Sequence, residues 1–253
     1  MIYPFHVTYS NMWHFTTESI LPILDYLPVM NKDDTIVVPD LKFYPIELVK
    51  RILDGFNVVV EKTFIPKFYT SCYLACSGAA NVRRLCTELL KYVEKKPMPR
   101  PCIYMSFRLH SRKWLPIENI QKLVNSLKDK YTILLSLNPL CEYATEIPEI
   151  ENVTKIYNLS YEEQLSYAAS ADYAIYANGA GMIFPRIVGI PSVMLTPCLI
   201  TETAPIGLYY GDNVVVVSDK KPDHNKQWNK DMENIPVESV LEAFNKAIKL
   251  PRL

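Results

Sequence analysis

Apolar residues recur along the chain in two rhythms: short continuous runs, and longer stripes at helical spacing. Thr35-Ile36-Val37-Val38-Pro39 is a continuous run that reads as a short buried strand, and Asn57-Val58-Val59-Val60-Glu61 reads as the next strand. Pro45 to Asp54 lies between them, with Pro at its first position, Ile46, Leu48, Val49, Ile52 and Leu53 as a stripe, and Gly55 as the stop. Thr17 to Tyr26 is a helix strained by Pro22 in its interior. Asn81 to Glu94 is a further helix, with Val82, Leu85, Leu89, Leu90 and Val93 on one side. Lys95-Lys96-Pro97-Met98-Pro99-Arg100-Pro101 then breaks the pattern as a stiff, solvated linker.

The pattern restarts after the linker. Strands are expected at Cys102–Met105, Tyr131–Leu137, Val153–Ile156, Tyr173–Ala177, Ser192–Leu195 and Asn213–Val217. Helices are expected at Pro116–Leu127, from Ser160 onward behind a capping box with Glu163, at Ala180–Val188 and at Val237–Ile248. Strands alternating with helices imply parallel sheets. The expected fold class is α/β, two Rossmann-like lobes with a cleft between them. Residues 1–96 are expected to form the N-terminal lobe and residues 97–253 the C-terminal lobe. The final helix 237–248 is a candidate to pack back on the N-terminal lobe.

Composition narrows the function. The 253 residues are 49% hydrophobic and 21% charged, as in a globular protein. Lys plus Arg equal Asp plus Glu at 27 each, which argues against nucleic acid as a partner. The six cysteines, Cys72, Cys76, Cys86, Cys102, Cys141 and Cys198, form no CxxC pair and suit free thiols in a reducing compartment. No leader and no apolar run of spanning length is visible, so the expectation is a soluble, cytoplasmic protein without a membrane span.

Three segments carry candidate chemistry. His14 and Glu18 are four apart, on one face of a helix, and a carboxylate there can take a proton from an attacking hydroxyl. The alternative is a surface pair or a core His. Arg108-Leu109-His110-Ser111-Arg112-Lys113 follows a strand, where α/β proteins bind ligands, and its cations suit a phosphate clamp. The alternative is a solvated loop. Asn178-Gly179-Ala180-Gly181 lies between a strand and a helix, where open N–H groups cradle a diphosphate. The alternative is a tight turn that takes glycines for steric reasons. The polar stretch from Asp219 to Asn234, with His224 and Trp228, is either a cleft-lining loop or a surface excursion.

These segments together resemble glycosyltransferase family 61. Its His-Phe-x-x-Asp/Glu-x-(x)-Leu-Pro segment corresponds to His14-Phe15-Thr16-Thr17-Glu18-Ser19-Ile20-Leu21-Pro22. Its Arg-x-x-Ser-Arg-(Arg/Lys) segment corresponds to Arg108, Ser111, Arg112 and Lys113. Its Glu-Gln-(Ile/Leu) helix corresponds to Glu163-Gln164-Leu165, and its His-Gly-Ala-Gly turn to Asn178-Gly179-Ala180-Gly181, with Asn in place of His. The resemblance spans roughly residues 9–196. It implies a GT-B-like fold, with 1–96 as the acceptor-side lobe and 97–253 as the nucleotide-sugar-binding lobe, an inverting mechanism, and a UDP-sugar as substrate with no cofactor and no essential metal. It also implies Glu18 as general base, with Arg112 and the Gly179–Gly181 turn holding the diphosphate. By analogy with the family, the first expected sugar is xylose and the acceptor is a glycan. A soluble bacterial or virus-encoded enzyme fits the short chain, in the host cytoplasm if viral. Two alternatives stand: another GT-B transferase with a different donor, such as a heptosyl- or pyruvyl-transferase type, and a non-catalytic nucleotide- or sugar-binding module.

Overall fold

The computed structural model describes residues 1–5, 7, 12–62, 79–107, 115–137, 152–156, 159–198, 212–220, 232 and 234–253. Two parallel sheets carry the fold. The first contains β1 (Ile2–Pro4), β2 (Thr35–Pro39) and β3 (Asn57–Glu61), in that spatial order, with Tyr3 opposite Ile36 and Val37 opposite Val59. The helical segment α1 (Met12–His14), the turn Phe15–Ile20 and α2 (Leu21–Tyr26) connects β1 to β2, and α3 (Ile46–Ile52) connects β2 to β3. β1 is too short and too exposed to leave a strong periodic signal, and sequence reading passed over it.

The second sheet holds β4 (Cys102–Phe107), β5 (Thr132–Leu137), β6 (Val153–Ile156), β7 (Tyr173–Ala177), β8 (Ser192–Cys198) and β9 (Val214–Lys220). Their spatial order is β6-β5-β4-β7-β8-β9, all parallel. Counted from β4 this is 3-2-1-4-5-6, the Rossmann order, whose direction reverses between β4 and β7. Ligands of such sheets bind at that switch point, beyond the strand C-termini.

Both faces of the second sheet's central strands are covered, which is why β4, β5, β7 and β8 read as largely apolar runs. Ile103, Met105, Phe107, Ile133, Leu135, Ile175 and Val193 face α5 (Ile117–Leu127) and α8 (Val237–Ala247). Cys102, Tyr104, Leu134, Ala174, Tyr176 and Met194 face the other way, into a core shared with Phe15, Ile20, Leu21, Ile36, Val38 and Leu48 of the first lobe. One hydrophobic core therefore runs through both sheets. α4 (Ala79–Leu90) packs on α2 of its own lobe and on α7 (Ile183–Val188) of the other. α6 (Tyr161–Ser170) also packs on α7.

The closing helix corrects an expectation. α8 does not fold back on the N-terminal lobe; it packs on β8, β9 and α5 of the C-terminal one. Its stripe Val237, Val240, Ala243, Phe244 and Ala247 is buried there, with Phe244 edge-on to Tyr131 at 5.5 Å and to Tyr173 at 5.7 Å. An apolar stripe specifies that a face is buried and leaves open against which lobe.

Candidate functional site

Pro22 shapes the first half of the site. Its ring has no N–H and crowds the carbonyl four residues back, so a regular helix cannot pass through it. The chain widens into a π-helical turn over Phe15–Ile20, where the Leu21 N–H bonds to the Thr16 carbonyl, and resumes as α2 with Pro22 in its first turn. Such single widened turns recur at functional sites. Thr16 and Thr17 support the turn by donating their hydroxyls to the carbonyls of Met12 at 2.8 Å and Trp13 at 2.9 Å.

Every residue of the widened turn is buried, Glu18 included. Buried carboxylates require partners. Here His14 Nδ1 donates to Glu18 Oε1. The His14 side chain keeps 23% of its surface exposed, against 4% for Glu18.

The turn is anchored across the lobes. Thr16 donates to Met12, so its oxygen accepts from the Tyr161 hydroxyl, at 2.7 Å. Tyr161 opens α6 and is buried, its ring edge-on to Phe184 at 5.2 Å. Burial pushes its phenol pKa up and keeps it a neutral donor. On the opposite side, Ser19 and the Tyr44 hydroxyl share a hydrogen bond of 2.6 Å. The Glu163-Gln164-Leu165 segment thus belongs to a scaffold. Glu163 completes the capping box with Ser160, Gln164 donates to the Leu159 carbonyl at 3.1 Å, and Glu162 pairs with Arg51 of the first lobe.

The second half lies at the switch point. β7 runs into Asn178 and Gly179, and the chain then turns through a 3₁₀ segment Ala180–Met182 into α7. The Met182 N–H bonds to the Gly179 carbonyl at 3.1 Å. The amides of Ala180 and Gly181 head a helical turn and so lack intrahelical acceptors. The Asn178 side chain is buried and turned toward Thr196, 3.4 Å from its hydroxyl. The turn's backbone, rather than this amide, is what the lobe presents. An added Cβ at Gly181 would fall on Ser106 Oγ, so β4 and the turn meet in close contact there and a side chain would have to displace that hydroxyl. Ser106 and Ser136 sit in register on β4 and β5, on the pleat face of Tyr104 and Leu134 that points to the other lobe. Sequence reading missed Ser106. A serine ending a run of apolar strand residues, ahead of Arg108, is the signal it left.

The two halves meet. Cα atoms of the Met12–His14 segment come within 8 Å of those of the Ala180–Met182 turn. Residues far apart in sequence thus share one seam, at the C-terminal end of the second sheet. Arg108, Ser111, Arg112 and Lys113 lie outside the described residues, as do His224 and Trp228; β4 ends at Phe107, immediately before Arg108. Among the described residues no three of His, Cys, Asp and Glu gather as a metal cluster, and no helix is long and apolar enough to cross a membrane.

No family model matches the sequence, and no curated protein matches it. Solved structures are similar in fold. A family 9 glycosyl transferase from Veillonella parvula shares 11% identity at a TM-score of 0.58, over 98% of this chain and 97% of that one. The E. coli ADP-heptose LPS heptosyltransferase II shares 10% identity at 0.59, over 98% of each chain. The dodecameric iron-containing heptosyltransferase TibC, solved with ADP-D-beta-D-heptose, shares 10% identity at 0.54, over 98% of this chain and 76% of that one. Likeness at this identity is likeness of architecture: the chain has the two-lobed, Rossmann-like fold of GT-B proteins.

Proposed function

We propose that this chain is an inverting glycosyltransferase that moves a sugar from a UDP-sugar to a glycan hydroxyl, without an essential metal. The observation that carries the reading is the seam itself. A buried carboxylate paired with a partly exposed imidazole, on one lobe, comes up against a glycine turn at the switch point of the other. The family 61 resemblance of the same segments supports it. Xylose is the first sugar to test, on that resemblance alone.

In the reaction the acceptor hydroxyl gives its proton to the His14–Glu18 pair and attacks the anomeric carbon opposite the diphosphate. The leaving diphosphate takes the bonding electron pair and gains charge. The amides of the Gly179–Gly181 turn, with Arg108, Ser111, Arg112 and Lys113 from the segment after β4, hold that charge. Three similar structures are, by name, a family 9 glycosyl transferase and two heptosyltransferases. A second reading therefore keeps the transfer and replaces the donor by an ADP-heptose.

The test is a thermal-shift and calorimetric screen of UDP, UDP-xylose, UDP-GlcNAc, UDP-glucose, GDP-sugars and ADP-heptose, with and without EDTA. A ligand at about 100 times its Kd adds about 2.7 kcal/mol of stability, or roughly 5–10 °C in Tm for a chain of this size. UDP-selective stabilisation that survives EDTA is expected. Selective response to ADP-heptose moves the assignment to the second reading, and silence toward every nucleotide refutes both.

A further inference from the structure

The two halves of the seam share one backing. The widened turn over Phe15–Ile20 runs on into α2, and the Gly179–Gly181 turn runs on into α7. α4 packs on both of these helices. Two adjacent arginines of α4 make a polar contact with each. The Arg83 guanidinium donates to the Arg186 carbonyl at 3.2 Å and to the Ile187 carbonyl, in the last turn of α7, and Arg84 pairs with Asp25 of α2 at 2.7 Å. We infer that Arg83 is a positioning residue: by gripping the far end of α7 it sets where the glycine turn stands against the opposite half of the seam. The inference rests on the transferase reading above and adds to it a residue remote from the reacting atoms.

Arg83 stands in a costly place. It is half-buried, and its Nε is enclosed without a hydrogen-bond partner among the described residues. Its hydrogen bonds go to carbonyls, and among the described residues no carboxylate pairs with it. Burial above all pushes its pKa down. What offsets this is the end of α7, whose last carbonyls lack intrahelical donors and carry the negative end of the helix. The planar fork reaches two successive carbonyls at once, which fixes direction as well as distance. A neutral side chain in the same space would supply no such grip.

The mount is tight on both sides of the contact. The Gly189 backbone that ends α7 lies so close that an added Cβ would stand 2.6 Å from Arg83 Nη1. From within the C-terminal lobe, Asn213 donates to the Gly189 carbonyl at 2.8 Å and the Ile190 carbonyl at 3.1 Å, and accepts from Arg186 Nη1 at 2.9 Å. Arg83 brings the N-terminal lobe to this same end. Arg84 differs, because its pair with Asp25 lies at the surface, with half of the arginine exposed, and such pairs contribute little. Loosening α7 at its far end leaves the amides of the glycine turn intact and disturbs their place against the other lobe. Nucleotide affinity, which the turn supplies, then survives where turnover does not.

The experiment uses the whole chain with Arg83→Met, Arg83→Lys, Arg83→Ala with and without ethylguanidinium, and Arg84→Ala as the control for losing one charge from the same helix. Three readouts are taken: melting, calorimetric binding of the nucleoside diphosphate that the screen selects (UDP or ADP), and turnover of the matching nucleotide-sugar with water as acceptor. Arg83→Met is expected to keep the nucleotide affinity and to lose about 10²-fold in turnover per folded molecule, the effect of a misplacement of about 1 Å. Ethylguanidinium should restore part of that loss in Arg83→Ala and none in Arg83→Met, whose side chain fills the space. Arg84→Ala should match the wild type in binding and turnover. A folded Arg83→Met with wild-type turnover overturns the inference, and so does an equal loss in Arg84→Ala or a folded Arg83→Ala that ethylguanidinium leaves unrescued. If the Met and Ala variants do not fold, Arg83→Lys decides: it keeps the charge and lacks the fork, so reduced turnover supports the grip and wild-type turnover overturns it. A wild-type chain that binds no nucleotide and turns over no donor strikes the transferase reading itself.

Discussion

Gly181 separates two roles that a glycine can have. Its φ lies outside the left-handed region, so alanine fits the backbone, and among the described residues the close obstruction to a new Cβ is Ser106 Oγ; Ser106 Cβ is 3.6 Å away, in ordinary contact. The obstruction is one atom on one torsion. Turning Ser106 to another rotamer costs about 0.5–1.5 kcal/mol, and Gly→Ala returns about 0.4–1 kcal/mol by restricting the unfolded chain. Gly181→Ala should therefore change stability by less than about 1 kcal/mol, a Tm shift under about 4 °C. Under the proposed function the diphosphate lies against this turn, so donor binding should respond more strongly than stability. An at least tenfold loss of UDP affinity, about 1.4 kcal/mol, is expected. Calorimetry and melting on Gly181→Ala, Ser106→Ala and the double variant resolve the two roles. Removing the hydroxyl should return the stability of Gly181→Ala and leave its affinity low. If the double variant regains full UDP affinity, or Gly181→Ala never loses it, the glycine serves only packing and the turn is no phosphate cradle.

Gly189 is a contrasting case: φ is +72°, and an added Cβ would lie 2.6 Å from Arg83 Nη1 and 2.8 Å from the Leu253 carbonyl. Gly189→Ala should cost about 2–4 kcal/mol from the left-handed conformation and overpacking together, read as a lower urea midpoint; an unchanged midpoint would show that this seam relaxes freely. Burial pushes the thiol of Cys86 up to about 11 and that of Cys102 up to about 12, and raises the phenols of Tyr44 and Tyr161. The folded state thus holds these protons more tightly than the unfolded chain, whose thiols titrate near about 8.5 and phenols near about 10. Their contribution is fully present below about pH 8.5 and is lost as pH rises through the folded values. Urea midpoints should hold to about pH 8 and fall toward pH 11, and a level profile would refute the assignment. One core spans both sheets, so denaturation should show a single transition by fluorescence and circular dichroism; two separated transitions would mean the lobes fold independently.

Much of the architecture was legible in the residues. Tyr173–Ala177 begins and ends where the apolar run does, because a strand covered on both faces needs such a run and little else. The Ser160–Glu163 box marked the start of α6 for an equally local reason: its hydrogen bonds close within one turn. Pro22 announced strain at the Glu18 segment, since a missing N–H is a property of the residue. Its resolution as a widened turn was not legible, because competing ways to absorb a proline differ only in what surrounds them.

What required tertiary structure was every relation between distant positions. The sequence marked His14 with Glu18, and separately Asn178 to Gly181. That they share a seam depends on strand order 3-2-1-4-5-6 and on the core common to both lobes. Ser106 under Gly181, Tyr161 on Thr16 and α8 on β8 and β9 have the same origin. The exchange of burial within the His14–Glu18 pair belongs here too, since spacing puts two side chains on one face and cannot say which of them lies beneath. Local chemistry acts through a few neighbouring bonds and is written residue by residue. Packing acts between surfaces that the chain brings together only once the whole fold has closed.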